Sequence, residues 1–416
     1  RRRATSRDRR EERNGSRKTH VTTIIANLDC ESDWSREAGS RARRELPSRV
    51  RARLAALGSL LGVLATRPED VLWTPAPIDP RCRVELPGIV TPRFETGPLG
   101  RLSASPPIVA WGETRATAAL RERASAERGV RLEHPRPLAR RILSLPPPSP
   151  GAARRANDRA LSARVERELG EGLEIAREVG SLNEIDAFVR SHALELSPTG
   201  RFVLKPPFSA AAHGVIHGSA GTITEPRTRR TIESALEEHG RLFFEPWLDR
   251  VADFGALAVI DSSGVEPIGI HRLIADARGG FRGIEWSPGS KSAPGLRSEE
   301  RERIAGAVEV AGRMLAASGY TGAFGIDAFR YRDGRGIERL RPISEINARL
   351  TQSIVARLLA EALTVEETAN ARGGKVRFRV GGEREPIPAA RGLGRIVLLR
   401  ATDAGAPWAT LEVEER

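Results

Sequence analysis

The sequence predicts a mixed fold, α/β in its first third and α+β beyond it. Three observations carry that reading. Between residues 21 and 143, short apolar strands alternate with helical periodicity, the pattern of a layered unit around a parallel sheet. A Pro-rich stretch, "SLPPPSPG" (144–151), then breaks the chain as a stiff linker. After it, long strands come in neighbouring pairs joined by tight turns, which suits antiparallel pairing.

Taken in order, residues 1–20 form a basic tail with no apolar pattern, expected to be disordered. "VTTIIANLD" (21–29), "DVLWTPAP" (70–77) and "PPIVAWG" (106–112) are strands. "ELPSRVRARLAALGSLLGVLATR" (45–67) and "TRATAALRERASAERG" (114–129) are the helices between and after them. These make a small α/β unit over 21–143. The main unit, 152–370, opens with helices over 157–173 and 181–192. "GRFVLKPPFSAAAHGVIHGS" (200–219) is strand, loop, strand; a helix over 230–240 leads into the strand "RLFFEPWL" (241–248). A hairpin over 254–276 turns at Ser263 and Gly264. The amphipathic helix 298–319 ends at Gly319. Two strands joined by "RDGRG" follow, then a closing helix over 351–363. Residues 371–416 are a segment of short strands.

Composition narrows the function. The chain has 416 residues, 39% of them hydrophobic, and a net charge of +13. The first twenty residues carry nine bases against three acids, nearly half of that excess, and the rest is spread thinly. With aromatics at 5% there is no base-stacking platform, so nucleic acid is not the expected partner. No apolar run approaches the ~20 residues that cross a bilayer, and Cys30 and Cys82 form neither a disulfide framework nor a metal pattern. A reducing cytoplasm is the expected location. Only four of the 67 basic residues are lysines: Lys18, Lys205, Lys291 and Lys375. Lys205 alone lies in an apolar strand, where a compact ammonium does what a guanidinium cannot.

The chemistry is concentrated in "RPISEINARLTQS" (341–353). Glu345, Asn347 and Arg349 alternate with Ile346, Ala348 and Leu350, so a strand shows all three on one face. Antiparallel pairing with "FGIDAF" (324–329) brings Asp327 close to Glu345 and Asn347. Two carboxylates and an amide oxygen make a hard, all-oxygen site suited to Mg²⁺; Arg349 can fork onto phosphate or carboxylate. A solvated strand face explains the alternation but not the aspartate opposite. In "FVLKPPFSAAAHGV", strand-borne Lys205 precedes a loop of small residues, 209–214. Ser209 and Gly214 bound a backbone able to face a polyphosphate, and His213 can touch a phosphate or stay at the surface. No Walker A or GxGxxG motif is present. In "RLFFEPWLDRVADF", Glu245 and the extended "PWL" can show backbone groups to a purine edge, and Asp253 can accept from ribose hydroxyls.

In this order and spacing, "FVLKPPFSAAAHGV", "FFEPWL", "GAFGIDAF" and "SEINARL" resemble the ATP-grasp superfamily over roughly residues 155–365. The resemblance implies two α+β subdomains clamping ATP, preceded by a small α/β pre-ATP-grasp domain. It implies Lys205 and the loop on the nucleotide phosphates, Glu245, Trp247 and Leu248 as the adenine hinge, and Asp253, or Asp249, on ribose. It makes Asp327, Glu345 and Asn347 the ligands of Mg²⁺ or Mn²⁺, and Arg349 the arginine facing the transferred phosphoryl group. Where many relatives read "NDK", this chain reads "NDR", so Arg159 takes the place of a phosphate-binding lysine by charge rather than geometry. The loop has alanines where relatives have glycines; Gly325 and Ile326 stand where some ligases carry an arginine before the aspartate, a loss Arg341 can offset. "IIANLDCESDW" and "VLWTPAPI" resemble the branch near the pheganomycin-type peptide ligases. The implied activity joins a small carboxylate to an amine, an amino acid or peptide, through an acyl phosphate; a homodimer is an assembly open to it. The rival readings are an ATP-grasp kinase acting on a hydroxyl and a basic nucleic-acid-binding protein.

Overall fold

The computed structural model describes residues 21–39, 46–124, 134–173, 176–192, 200–209, 214–276, 279–290, 292–371, 373–381, 394–401 and 407–414. The basic tail, the interior of the 209–214 loop with His213, Lys18 and Lys291 lie outside them.

Three sheets organise the chain. The first holds four parallel three-residue strands, β1 (Thr23–Ile25), β2 (Val71–Trp73), β3 (Arg93–Glu95) and β4 (Ile108–Ala110), in the order β3-β2-β1-β4. Helices α1 (Cys30–Glu37) and α2 (Ser48–Gly58) lie in the connection from β1 to β2, and α3 (Arg115–Ala124) follows β4. β1 is buried along its whole length, as a strand covered on both faces must be. The chain leaves β1 towards β2 on one side and returns to β4 on the other. That reversal is a topological switch point, where the carboxyl ends of parallel strands open a crevice.

The Pro-rich linker is bracketed by two helices that hydrophobic spacing did not reveal, α4 (Pro137–Ser144) and α5 (Pro150–Ala156). Each begins with proline in its first turn, where the ring pre-sets φ and the missing N–H is not needed. α6 (Arg159–Glu168) follows at once, its first turn capped by the Asp158 carboxylate on the Ala160 N–H.

The second sheet is antiparallel and small: β5 (Arg177–Val179), β6 (Arg201–Lys205), β7 (Ile216–Ser219) and β8 (Leu242–Pro246), in the order β5-β8-β6-β7. α7 (Leu182–His192) and α8 (Pro226–His239) cover it, closing a core of Val179, Phe188, Phe202, Ile232 and Phe244.

The third sheet has eight antiparallel strands: β9 (Asp249–Asp261), β10 (Gly264–Ala275), β11 (Phe281–Trp286), β12 (Gly322–Arg332), β13 (Glu338–Asn347), β14 (Lys375–Val380), β15 (Arg395–Arg400) and β16 (Pro407–Glu414), in the order β13-β12-β9-β10-β11-β14-β16-β15. Of the C-terminal strands, β14 pairs on β11, and β16 and β15 follow it outward, so they extend the sheet that carries "SEINARL". Alternation along β9 sorts its two faces. Phe254, Ala256, Ala258 and Ile260 pack with α9 (Ser298–Ala317), while Leu257 and Val259 pack with α10 (Gln352–Ala362) and the first sheet. α11 (Val365–Ala371) closes the same side.

Candidate functional site

The register of β12 and β13 starts at their turn. The Asp333 carboxylate accepts the Arg335 and Ile337 N–H groups at 2.9 and 3.0 Å, tying the "RDGRG" turn. The ladder then places Asp327 opposite Glu345 and Gly325 opposite Asn347. Directly opposed residues share a face, so the two carboxylates and the amide meet on the face of Leu257. The Asn347 Nδ2 donates to Asp327 Oδ2 at 3.4 Å. Burial, reinforced by the like charge of Glu345, pushes the Asp327 carboxyl up to about 7. A half-buried acid held beside another acid calls for a cation.

In this structure arginines supply the charge. The Arg159 Nη2 lies 3.0 Å from Glu345 Oε1 and 2.8 Å from Ser209 Oγ, while its Nε donates to Pro206 O at 3.0 Å. Arg349 donates from Nη2 to Asn347 Oδ1 at 2.9 Å and from Nε to Glu31 Oε1 at 2.6 Å. Asp327, Glu345 and Asn347 offer the hard donor set a divalent cation takes, provided the Asn347 amide turns its oxygen from Arg349 towards Asp327. Among the described residues, no three His, Cys, Asp or Glu side chains converge as a metal cluster, so the site amounts to two carboxylates and one amide.

Lys205, Glu245, Arg341 and Glu166 form a second constellation. Glu245 Oε2 takes the Lys205 ammonium and the Arg341 Nη1, each at 2.7 Å. Arg341 forks onto Glu166 at 2.5 and 2.8 Å. Burial opposes the Glu245 charge, but Arg341 and Lys205 outweigh it and hold the carboxyl well below the usual range. Burial, with Arg159 and Arg341 nearby, lowers Lys205. The network joins β6 and β8 to β13 and α6, and Glu245, itself held by Arg341, fixes Lys205.

The hinge residues follow β8. The Trp247 N–H is donated to Arg201 O at 2.9 Å, so the Trp247 amide is not the group that can read a purine edge. Its ring packs edge-on against His217. Asp253 lies opposite Phe329 in the row next to Asp327 and pairs with Arg250. Asp249 stands exposed at the strand start near Arg332. Gly214 has φ +78, the left-handed conformation that favours glycine.

Sequence reasoning assigned no role to Glu166, Arg250 or Glu31. Glu166 was within reach: Arg159, Ser162 and Glu166 follow helical spacing and are all buried. Arg250 follows the hinge as one arginine among many. Glu31 meets Arg349 across 318 positions, a pairing set by packing alone.

No family model and no curated sequence matches the chain, whereas solved structures do. Biotin carboxylase from Campylobacter jejuni, in a β,γ-ATP complex, aligns with TM-score 0.53 and 13% identity over 96% of this chain and 88% of its own. An N5-carboxyaminoimidazole ribonucleotide synthetase in its ADP complex aligns with TM-score 0.53 and 10% identity over 95% and 93%. A carboxyaminoimidazole ribonucleotide synthase from Aspergillus clavatus with ATP gives 0.51 and 12% over 95% and 94%. At such identities the likeness speaks for the fold. With a small antiparallel sheet bearing Lys205, a large one bearing "SEINARL" and a parallel sheet before both, the chain has the fold of the ATP-grasp superfamily.

Proposed function

We propose that this protein is an ATP-dependent ligase that joins a small carboxylate to an amine through an acyl phosphate. One observation carries the reading: β12 and β13 oppose Asp327 to Glu345 and set Asn347 beside them, while Arg349, in the bend just past the end of β13 rather than on the strand, donates to Asn347 Oδ1. The neighbours solved with ATP or ADP, among them a carboxylase and a synthetase, support it. Asp327, Glu345 and Asn347 would hold magnesium or manganese, which when bound neutralises phosphate oxygens.

The chain's own residues have separate tasks. Lys205 and Arg159 set fixed positive charge at the nucleotide end, and Ser209 is held by Arg159. The backbone of Glu245 is engaged with Val203 in the β6–β8 ladder, which leaves Leu248, just past β8, to offer backbone groups to the purine, and Asp253 accepts from ribose. Arg349 stabilises the negative charge that develops on the acyl phosphate and on the oxyanion formed as the amine attacks. No protein nucleophile is needed, because phosphoryl transfer depends on positioning and electrostatics.

Glu345→Ala and Asn347→Ala should each cut Mg²⁺-dependent ADP release by more than about a hundredfold, the scale of losing one charge-stabilising group, with unchanged circular dichroism. Persistent turnover would remove the metal assignment. Hydroxylamine should trap a hydroxamate, which only an acyl phosphate yields; ADP release without hydroxamate would instead mark a kinase.

A further inference from the structure

A cavity of about 90 Å³ lies beside the carboxyl end of β4, close to the switch point of the parallel sheet. Trp111, Ile142, Leu143, Tyr320, Ala323 and Arg349 are among its walls. Most of its polar groups are satisfied. Glu113 pairs with Arg121 at 2.5 Å and takes the Thr117 hydroxyl at 2.8 Å; the Tyr320 hydroxyl donates to Ala323 O at 2.6 Å.

The exceptions are donors. Trp111 is 5% exposed and its Nε1–H is buried without an acceptor, a costly state unless something fills it. Arg349 has five N–H groups and uses one each on Glu31, Asn347 and the Leu350 carbonyl. Two remain without an acceptor among the described residues, and the guanidinium sits 5.7 Å from the Trp111 ring centre. A partly apolar space whose walls carry surplus donors on Trp111 and Arg349 fits a carboxylate with a short aliphatic chain, the one acid in its lining, Glu113, being already paired with Arg121. The volume equals roughly three waters, enough for a carboxylate and roughly one to three carbons.

We propose that this cavity seats the carboxylate substrate. The carboxylate accepts from Trp111 Nε1 and the spare N–H groups of Arg349, and the chain lies against Leu143 and Ala323. This rests on the ligase reading and names its acid as a short aliphatic one. Arg349 then touches both the acid and Asn347, so the oxygen to be phosphorylated points at the metal strands.

Titration calorimetry of the full chain with acetate, propionate, butyrate, hexanoate and octanoate, without nucleotide, tests it. The first three should bind and the last two should not. Trp111→Phe, which keeps the ring and removes the donor, should weaken binding about tenfold, the loss of one hydrogen bond to a charged group. If Trp111→Phe does not fold, Ala323→Val should weaken butyrate before acetate. Failure of short acids to bind, affinity that rises with chain length, or a Trp111→Phe protein that binds like the parent overturns the proposal. Acids that bind as described but never stimulate ADP release leave the subsite standing and remove the ligase reading. Acid-stimulated ADP release unaffected by Trp111→Phe does the reverse.

Discussion

Asp327 is an acid placed where its charge is hard to keep. Burial and Glu345 push its carboxyl up to about 7, against an ordinary value of 3.8, and the nearby arginines only partly offset them. The native state therefore holds a proton that the unfolded chain has released. By linkage, this penalty is absent below about 3.8, grows as pH rises, and is complete above about 7. Asp327→Asn should remove it. In chelator-treated buffer the variant should melt above the parent at pH 8, by an amount equivalent to ~1–2 kcal/mol, and the gap should close as the pH falls from 7 towards 4. A pH-independent difference would show that the native state does not raise the Asp327 carboxyl. Mg²⁺ should reverse the order, stabilising the parent and not the variant.

At the scale of elements, the floor of the site is a row across three strands. Asp327 pairs with Gly255 on β9, and Gly255 pairs with His271 on β10. The His271 ring lies over the glycine: a Cβ there would meet its Nε2 at 2.5 Å. Burial, aided by Arg357, lowers the imidazole to about 3, so it is neutral at physiological pH. Gly255→Ala should therefore cost about 1–3 kcal/mol in chemical denaturation, the price of overpacking. In a His271→Ala background the same change should cost less than about 0.5 kcal/mol, because the clash is with the ring. Equal costs in both backgrounds would place the strain elsewhere. This row marks what could be read from the sequence. The β12–β13 hairpin was legible because "RDGRG" sets the turn and alternation sets the face, so Asp327, Glu345 and Asn347 followed. Lys205 and Glu245 were legible as strand residues, but their ion pair with Arg341 was not, since it requires β6, β8 and β13 to converge. The partnership of Gly255 and His271 depends on which strand lies between which, and local pattern carries no such information. Strand β3 escaped because "RFE" is three residues long, only partly buried, and lacks period-two alternation.

Across the whole molecule, apolar cohesion is uneven. One core runs from Ile24 and Trp34 of the first unit through Leu257, Trp286 and Leu358 to Phe378 and Leu411, so the parallel sheet and the eight-stranded sheet share their interior. Among the described residues, the core of the second sheet is drawn from Val179 to Phe244, with partners in the same stretch, while Phe208, just past β6, joins the main core. What ties that sheet to its neighbours is largely polar: Arg159 on Ser209 and Pro206, Arg341 on Glu245, and Arg241 on Asp158 at 2.6 Å. Units held largely by ion pairs, with little shared core, open at lower free energy than the body they sit on. Such a unit can swing relative to β12 and β13 without disturbing them, the motion that closure over a nucleotide would require under the proposed function. Native-state hydrogen exchange should then show the amides of β6 and β8 opening well below the global unfolding free energy, while those of β9 and β12 exchange only on global unfolding. Adding Mg²⁺ and a non-hydrolysable ATP analogue at about a hundred times its Kd should slow β6 and β8 by roughly a hundredfold, and Lys205→Ala should blunt that protection. Uniform protection of all three sheets without nucleotide would mean that the second sheet is locked, and catalysis would then have to proceed without the closing motion this division of cores permits.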